Sequence, residues 1–228
     1  MKVDASKKNP VLCDLLAGKE LIIAIDANII IPPERHNKPF PQETYYKEFI
    51  YPLFNASLSL LIHESVLQEL VDSTSHDKIV ELIENEQSSV SLVQDASLTD
   101  DEKVIRSAME TSIAPYTMYT PHENNSDDRG EVKTLSYLAT KGHGCFLSKD
   151  SGALRLITHT ESLETSLNGI SPMRLYEIIY YMTKTQPEYS KTLRALYKYN
   201  YYLSKKEKAQ NPSWEIFIQT FDKLYGDS

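Results

Sequence analysis

Cysteine is nearly absent: Cys13 and Cys145 are the whole complement of a 228-residue chain. Two cysteines build neither a disulfide framework nor a cysteine-rich zinc site. Cys145 lies in an apolar run and reads as a small core residue. The six histidines (His36, His63, His76, His122, His143, His159) show neither His-x3-His nor His-Glu-x2-His spacing, which weakens the case for zinc chemistry. Long apolar runs are missing too, and nothing approaches the roughly 20 residues that a membrane span needs. The N-terminal Met-Lys-Val-Asp-Ala-Ser-Lys-Lys has basic residues but no apolar stretch behind them, unlike a secretory signal. The expectation is a cytoplasmic protein off the membrane. A metal held by oxygen ligands stays open.

What is present is an ordinary globular composition, 41% hydrophobic and 25% charged, with a net charge of −8. The charge is unevenly spread. Residues 1–170 carry 15 Lys and Arg against 26 Asp and Glu, whereas residues 171–228 carry 9 against 6. This asymmetry suggests one domain over 1–170 and a C-terminal extension of different surface character over 171–228.

Short β-branched apolar runs at Leu21–Ile25, Ser59–Ile62, Val90–Val93 and Cys145–Ser148 have the pattern of buried strands, with a further short strand expected near Gly169-Ile170. Helical periodicity falls between them, over about 43–54, 64–72 continuing or restarting to 86, 100–113 and 128–141. In the second of these, Val66, Leu67, Leu70 and Val71 supply an apolar stripe that Glu69 interrupts from its edge. Strands alternating with helices predict an α/β domain with a mainly parallel sheet. Pro32–Pro41 and Ala114–Asn125 have loop composition.

Four acids stand at the ends of these elements: Asp26 after the first apolar run, Glu69 in an early helix, Glu131 in the first turn of the helix opened by Ser126-Asp127-Asp128, and Asp150 after Cys145–Ser148. Each has a bland explanation. Asp26 and Asp150 suit turns or caps, Glu69 suits a solvated helix face, and Asp127, Asp128 and Glu131 suit a helix N-terminus. Together they suit something else. Carboxylates gathered at the carboxyl ends of parallel strands lie where open α/β sheets place ligands, and an all-oxygen set suits Mg²⁺ or Mn²⁺. Closely packed carboxylates also repel, so at least one should have a raised pKa without a cation.

Ile25-Asp26-Ala-Asn28, Val66-Leu-Gln-Glu69-Leu70, Asp128-Arg-Gly-Glu131 and Leu147-Ser-Lys-Asp150 together resemble, in order, the motifs of the PIN-domain nuclease family. The resemblance covers about 20–170. It implies a three-layer α/β/α fold and a Mg²⁺- or Mn²⁺-dependent endoribonuclease, with Asp26, Glu69, Glu131 and Asp150 as catalytic metal ligands. Glu131 precedes Asp150 by 19 residues and Asp128 by 22, and the shorter interval is the family's, so Glu131 takes the third place. Asp128 is assigned as an additional metal contact on the same helix face and Asp127 as a cap. Asn28 and Ser148 are assigned to substrate. A toxin or RNA-processing role, an antitoxin-like protein partner and homo-oligomerisation belong to the same expectation. A haloacid-dehalogenase-like phosphatase with Asp26 as nucleophile is the rival enzyme, but Asn28 stands where its second acid is needed. A non-catalytic RNA- or protein-binding module is the rival outside enzymes.

The extension reads as helices over 173–183, 189–206 and from Trp214. Leu193, Leu196, Tyr197 and Leu203 are assigned to a buried stripe. Lys191, Arg194, Lys198, Tyr201 and Lys205 are assigned to another face, a candidate RNA-binding edge in which cations meet phosphates and tyrosine stacks a base.

Overall fold

The computed structural model describes residues 2–35, 38–70, 73–85, 88–142 and 144–226. The four apolar runs form strands β1 (Ile22–Ile25), β2 (Ser59–His63), β3 (Val90–Val93) and β4 (Cys145–Ser148), and the last strand, expected near Gly169-Ile170, lies just beyond them as β5 (Ser171–Arg174). They make one five-stranded parallel sheet in the order β3-β2-β1-β4-β5, flanked by helices as a three-layer α/β/α arrangement requires. The central strand β1 sets Ile23 opposite Leu60 and Cys145, and Ala24 opposite Leu61 and Phe146. Ile23, Ala24 and Ile25 are fully buried. A strand covered on both faces has no polar side to show, which is why its sequence reads as a continuous apolar run.

The chain divides into two units. One comprises Leu21–Ile31 and Phe54–Pro172, and holds the helices α1 (Glu64–Gln68), α2 (Asp100–Ile113), α3 (Arg129–Lys141) and α4 (Ser151–Thr158). Thr99 starts α2 with a reciprocal capping box to Glu102, and Gly142 ends α3 at φ 65, a left-handed conformation that glycine adopts without a Cβ penalty. Val132, Leu135 and Leu138 of α3 pack with Ala24, Leu61 and Phe146 of the sheet. The helix expected from 64 stops at Gln68, with Glu69 at its C-cap, and a separate helix begins at Ser73. Val71 lies outside the described residues.

The other unit is Met1–Glu20, Pro32–Leu53 and Met173–Ser228, so its helices α5 (Leu175–Thr185), α6 (Ser190–Tyr201), α7 (Lys205–Gln210) and α8 (Trp214–Tyr225) do not form an extension by themselves. This division differs from a single cut after 170, and side-chain bonds explain it. Asn211 accepts the Val3 N–H at 2.7 Å and donates to Tyr201 O at 2.9 Å. Asn9 donates to buried Glu177 at 3.0 Å, and Arg35 pairs with Glu207 at 2.6 Å. Tyr197 and Phe217 stack with ring centroids 4.4 Å apart. No described helix is long and apolar enough to cross a membrane.

Candidate metal centre

The strand order reverses between β1 and β4, and such a switch point opens a crevice at the carboxyl ends of the strands. Asp26 follows β1 and Asp150 follows β4. Glu69 follows α1 beyond β2, and a helix that returns the chain to a parallel strand starts at the carboxyl edge, so Glu131 in the first turn of α3 is delivered there as well.

Asp26 is buried, 5% exposed, and its backbone N–H continues the β1–β4 pairing by donating to Leu147 O at 3.1 Å. It stands at the N-cap position of the turn Ala27–Ile30, yet its carboxylate makes no capping bond. Oδ2 instead accepts Ser148 Oγ at 2.6 Å and Asn28 Nδ2 at 2.5 Å. Asn28 Oδ1 accepts the Lys149 N–H at 3.0 Å, and Ser148 Oγ accepts the Asp150 N–H at 2.9 Å. Assigned to substrate from the sequence, Asn28 and Ser148 use these polar atoms within the chain to brace Asp26 and the β4 loop. Burial raises the Asp26 carboxyl to about 6, opposed by the Ser148 and Asn28 bonds and assisted by Asp150.

Glu69 is half-buried and not a solvated helix residue; it accepts the backbone N–H of Gly130. A Cβ on Gly130 would stand 2.7 Å from the Glu69 carboxylate, so the glycine permits this approach. Burial raises Glu69 to about 6 against the Gly130 bond, with Asp26 and Asp128 adding repulsion and Arg129 opposing it. Glu131 shifts most, to about 9, through burial first and then the negative charges of Asp26, Asp150, Asp128 and Glu69 in that order. One carboxyl thus feels all the others. Asp150 is exposed and caps α4, Oδ1 accepting the Gly152 N–H at 2.5 Å.

Asp128 departs from its assignment. It is itself the N-cap of α3, left-handed at φ 52, so it does not share a helical face with Glu131, and Asp127 is not the cap. Its Oδ2 accepts the Met118 N–H at 2.9 Å, which ties the preceding loop to the helix. Its charge still reaches Glu69 and Glu131.

A second cluster escaped the sequence reading. Ligand atoms of His63, Glu64 and Asp95 lie within 4.8 Å of one another. Asp95 is already engaged: Arg106 approaches both its oxygens at 2.9 Å, His63 Nε2 lies 3.3 Å away, and the Asp95 N–H donates to Glu64 at 3.0 Å. Burial works to raise the Asp95 carboxyl, but His63 and Arg106 hold it below its ordinary value. An Arg-neutralised carboxylate is a poor cation ligand, so this group is better explained as a buried polar clamp at the end of β3. Among the described residues the four acids make no ion pair, Arg129 and Lys149 lowering Glu69 and Asp26 only from a distance, and they offer oxygen alone, the donor type Mg²⁺ and Mn²⁺ favour.

In the other unit, Lys191, Arg194 and Lys198 share an exposed face of α6, but Arg194 is ion-paired with Glu215. Tyr201 is 1% exposed and belongs to the interior, Leu203 is 44% exposed and does not, and Lys205 starts a separate helix. The stacking tyrosine assigned to the basic face is therefore absent from it.

Gly130, against which Glu69 rests, is not among the site residues expected from the sequence; the Asp-Arg-Gly-Glu string carries its signal, since glycine in a first helical turn marks a close approach. Comparison with known proteins finds no matching family model, no matching curated protein and no matching solved structure.

Proposed function

We propose that the chain is a PIN-like endoribonuclease, hydrolysing RNA phosphodiester bonds with Mg²⁺ or Mn²⁺. What supports this reading is the electrostatic coupling of the four acids at the carboxyl ends of the strands, where the charges of Asp26, Asp150 and Glu69 all raise Glu131, although among the described residues only His63, Glu64 and Asp95 bring ligand atoms within 4.8 Å of one another. Buried carboxyls in mutual repulsion cost stability unless a cation relieves them. Asp26, Glu69, Glu131 and Asp150 would hold the divalent ion, which would supply Lewis-acid polarisation of the phosphodiester and a water of lowered pKa.

The chain's own contribution is placement and proton control. Ser148 and Asn28 fix one oxygen of Asp26, and Gly130 fixes Glu69. Burial and the neighbouring acids raise Glu131 to about 9, which favours its protonated form, and a cation bound beside it would lower it again. The preference for RNA over DNA, the toxin or processing role and the antitoxin-like partner rest on the motif resemblance and form part of the same proposal; the cytoplasmic setting joins them as the default for a chain without a long apolar run.

The test is cleavage of labelled single-stranded RNA with Mn²⁺ or with chelator, beside Asp26→Asn and Asp150→Asn and with metal binding followed by calorimetry. Each substitution should lower cleavage by about a hundredfold or more. Cleavage that survives both, or an aspartyl-phosphate trapped on Asp26, would sink the proposal. A protein that binds RNA but neither cleaves it nor takes up metal would instead be a binding module.

A further inference from the structure

Two cations border the acid cluster and offset its charge only in part. Arg129 is the first residue of α3, between Asp128 and Glu131, and Lys149 lies between β4 and Asp150. The charge of Arg129 reaches Glu69 and Tyr119, and that of Lys149 reaches Asp26 and Asp150. Among the described residues, however, neither side chain makes an ion pair or a hydrogen bond. Arg129 Nε is buried with no acceptor at all.

Two other cations of the same unit behave differently. Arg106 is clamped by Asp95 and Glu110, and Lys141 pairs with Glu102 at 2.6 Å. Arg129 and Lys149 have carboxylates nearby and remain unpaired. A buried N–H without an acceptor calls for an explanation, and a ligand is one.

We propose that Arg129 and Lys149 are the phosphate-binding cations of this site, holding the substrate's phosphodiester backbone against the acids. The assignment rests on the phosphodiesterase reading above. Its physical need is plain: a polyanion approaching several carboxylates is repelled, and one divalent ion offsets only part of that charge. The planar guanidinium of Arg129 can take two phosphate oxygens at once, and Lys149 supplies a compact charge beside Asp26 and Asp150.

The test uses the full chain and a labelled single-stranded RNA, with binding measured by anisotropy in chelator across a salt series and cleavage measured with Mn²⁺. Arg129→Met and Lys149→Met should each weaken binding about tenfold and flatten the logarithmic salt dependence by about 0.7 per lost contact. Arg129→Lys should restore the salt slope but not the full affinity, because lysine lacks the fork. Thermal unfolding checks that each variant folds; if Arg129→Met does not, Arg129→Lys and Lys149→Met decide. Should wild type cleave while folded variants keep its affinity and slope, this assignment fails and the nuclease reading stands. A wild type that neither binds nor cleaves RNA or single-stranded DNA overturns both. A purely structural Arg129 would change thermal stability and leave the slope unmoved, which also overturns the assignment.

Discussion

Gly130 sits in the first turn of a helix, where alanine is ordinarily preferred by up to about 1 kcal/mol. Here the missing methyl matters more than propensity, because Glu69 occupies its space. The crowding atoms are the far end of a flexible side chain, so Gly130→Ala should keep thermal stability within about 1 kcal/mol of wild type while displacing the carboxylate. Calorimetry should then show Mn²⁺ affinity reduced by roughly tenfold; unchanged affinity would remove Glu69 from the cation site. Glu131 gives the pH dependence. Its pKa rises on folding from 4.5 to about 9, so the stability linked to its proton is full below the lower value and is lost as pH rises through the higher one. Metal-free protein should therefore melt at progressively lower temperature between about pH 5 and pH 9. Glu131→Gln should flatten that fall and raise the melting temperature at the alkaline end, and an equally steep profile in the variant would contradict the burial and repulsion assigned to it.

At the scale of the element, α6 shows how one helix separates structural from surface roles. Leu193, Leu196, Tyr197 and Tyr201 are buried, and Lys191, Arg194 and Lys198 face outward. Tyr197 stacks on Phe217 and donates through its hydroxyl to Pro212 O at 2.9 Å. Tyr197→Ala should cost about 3–5 kcal/mol in chemical denaturation. Glu215→Gln breaks only an exposed ion pair and should leave the melting curve where it is. The two outcomes together check which face of α6 carries the packing.

For the whole molecule, the segments Met1–Glu20 and Pro32–Leu53 complete the unit that contains α5 to α8. Asn211, 6% exposed, satisfies the backbone of Val3 and of Tyr201 at once. Asn211→Ala should destabilise by about 2–3 kcal/mol, since two buried polar groups lose their partner. A fragment of residues 171–228 lacks Val3, Asn9 and Arg35 and should show no cooperative unfolding by circular dichroism. A cooperative transition in that fragment would restore the extension as an independent domain.

The sequence by itself determined four of the five strands, their alternation with helices and the positions of the four acids along them. Periodicity and apolar runs are local consequences of burial, and Ile22–Ile25 and Cys145–Ser148 carry them without ambiguity. It also marked α3, through an acidic start and the glycine stop at 142. Tertiary structure alone decided the rest. Asn28 and Ser148 turned inward because Asp26, brought beside them by the β1–β4 pairing, needs donors. Asp128 left the helix because its carboxylate binds Met118, in a loop whose path no local pattern records. Tyr201 is buried by aromatic neighbours distant in sequence, and the 1–20 segment found partners some 200 residues away. Such choices depend on which surfaces meet, and a linear pattern encodes what a segment can bury but not what it will bury against.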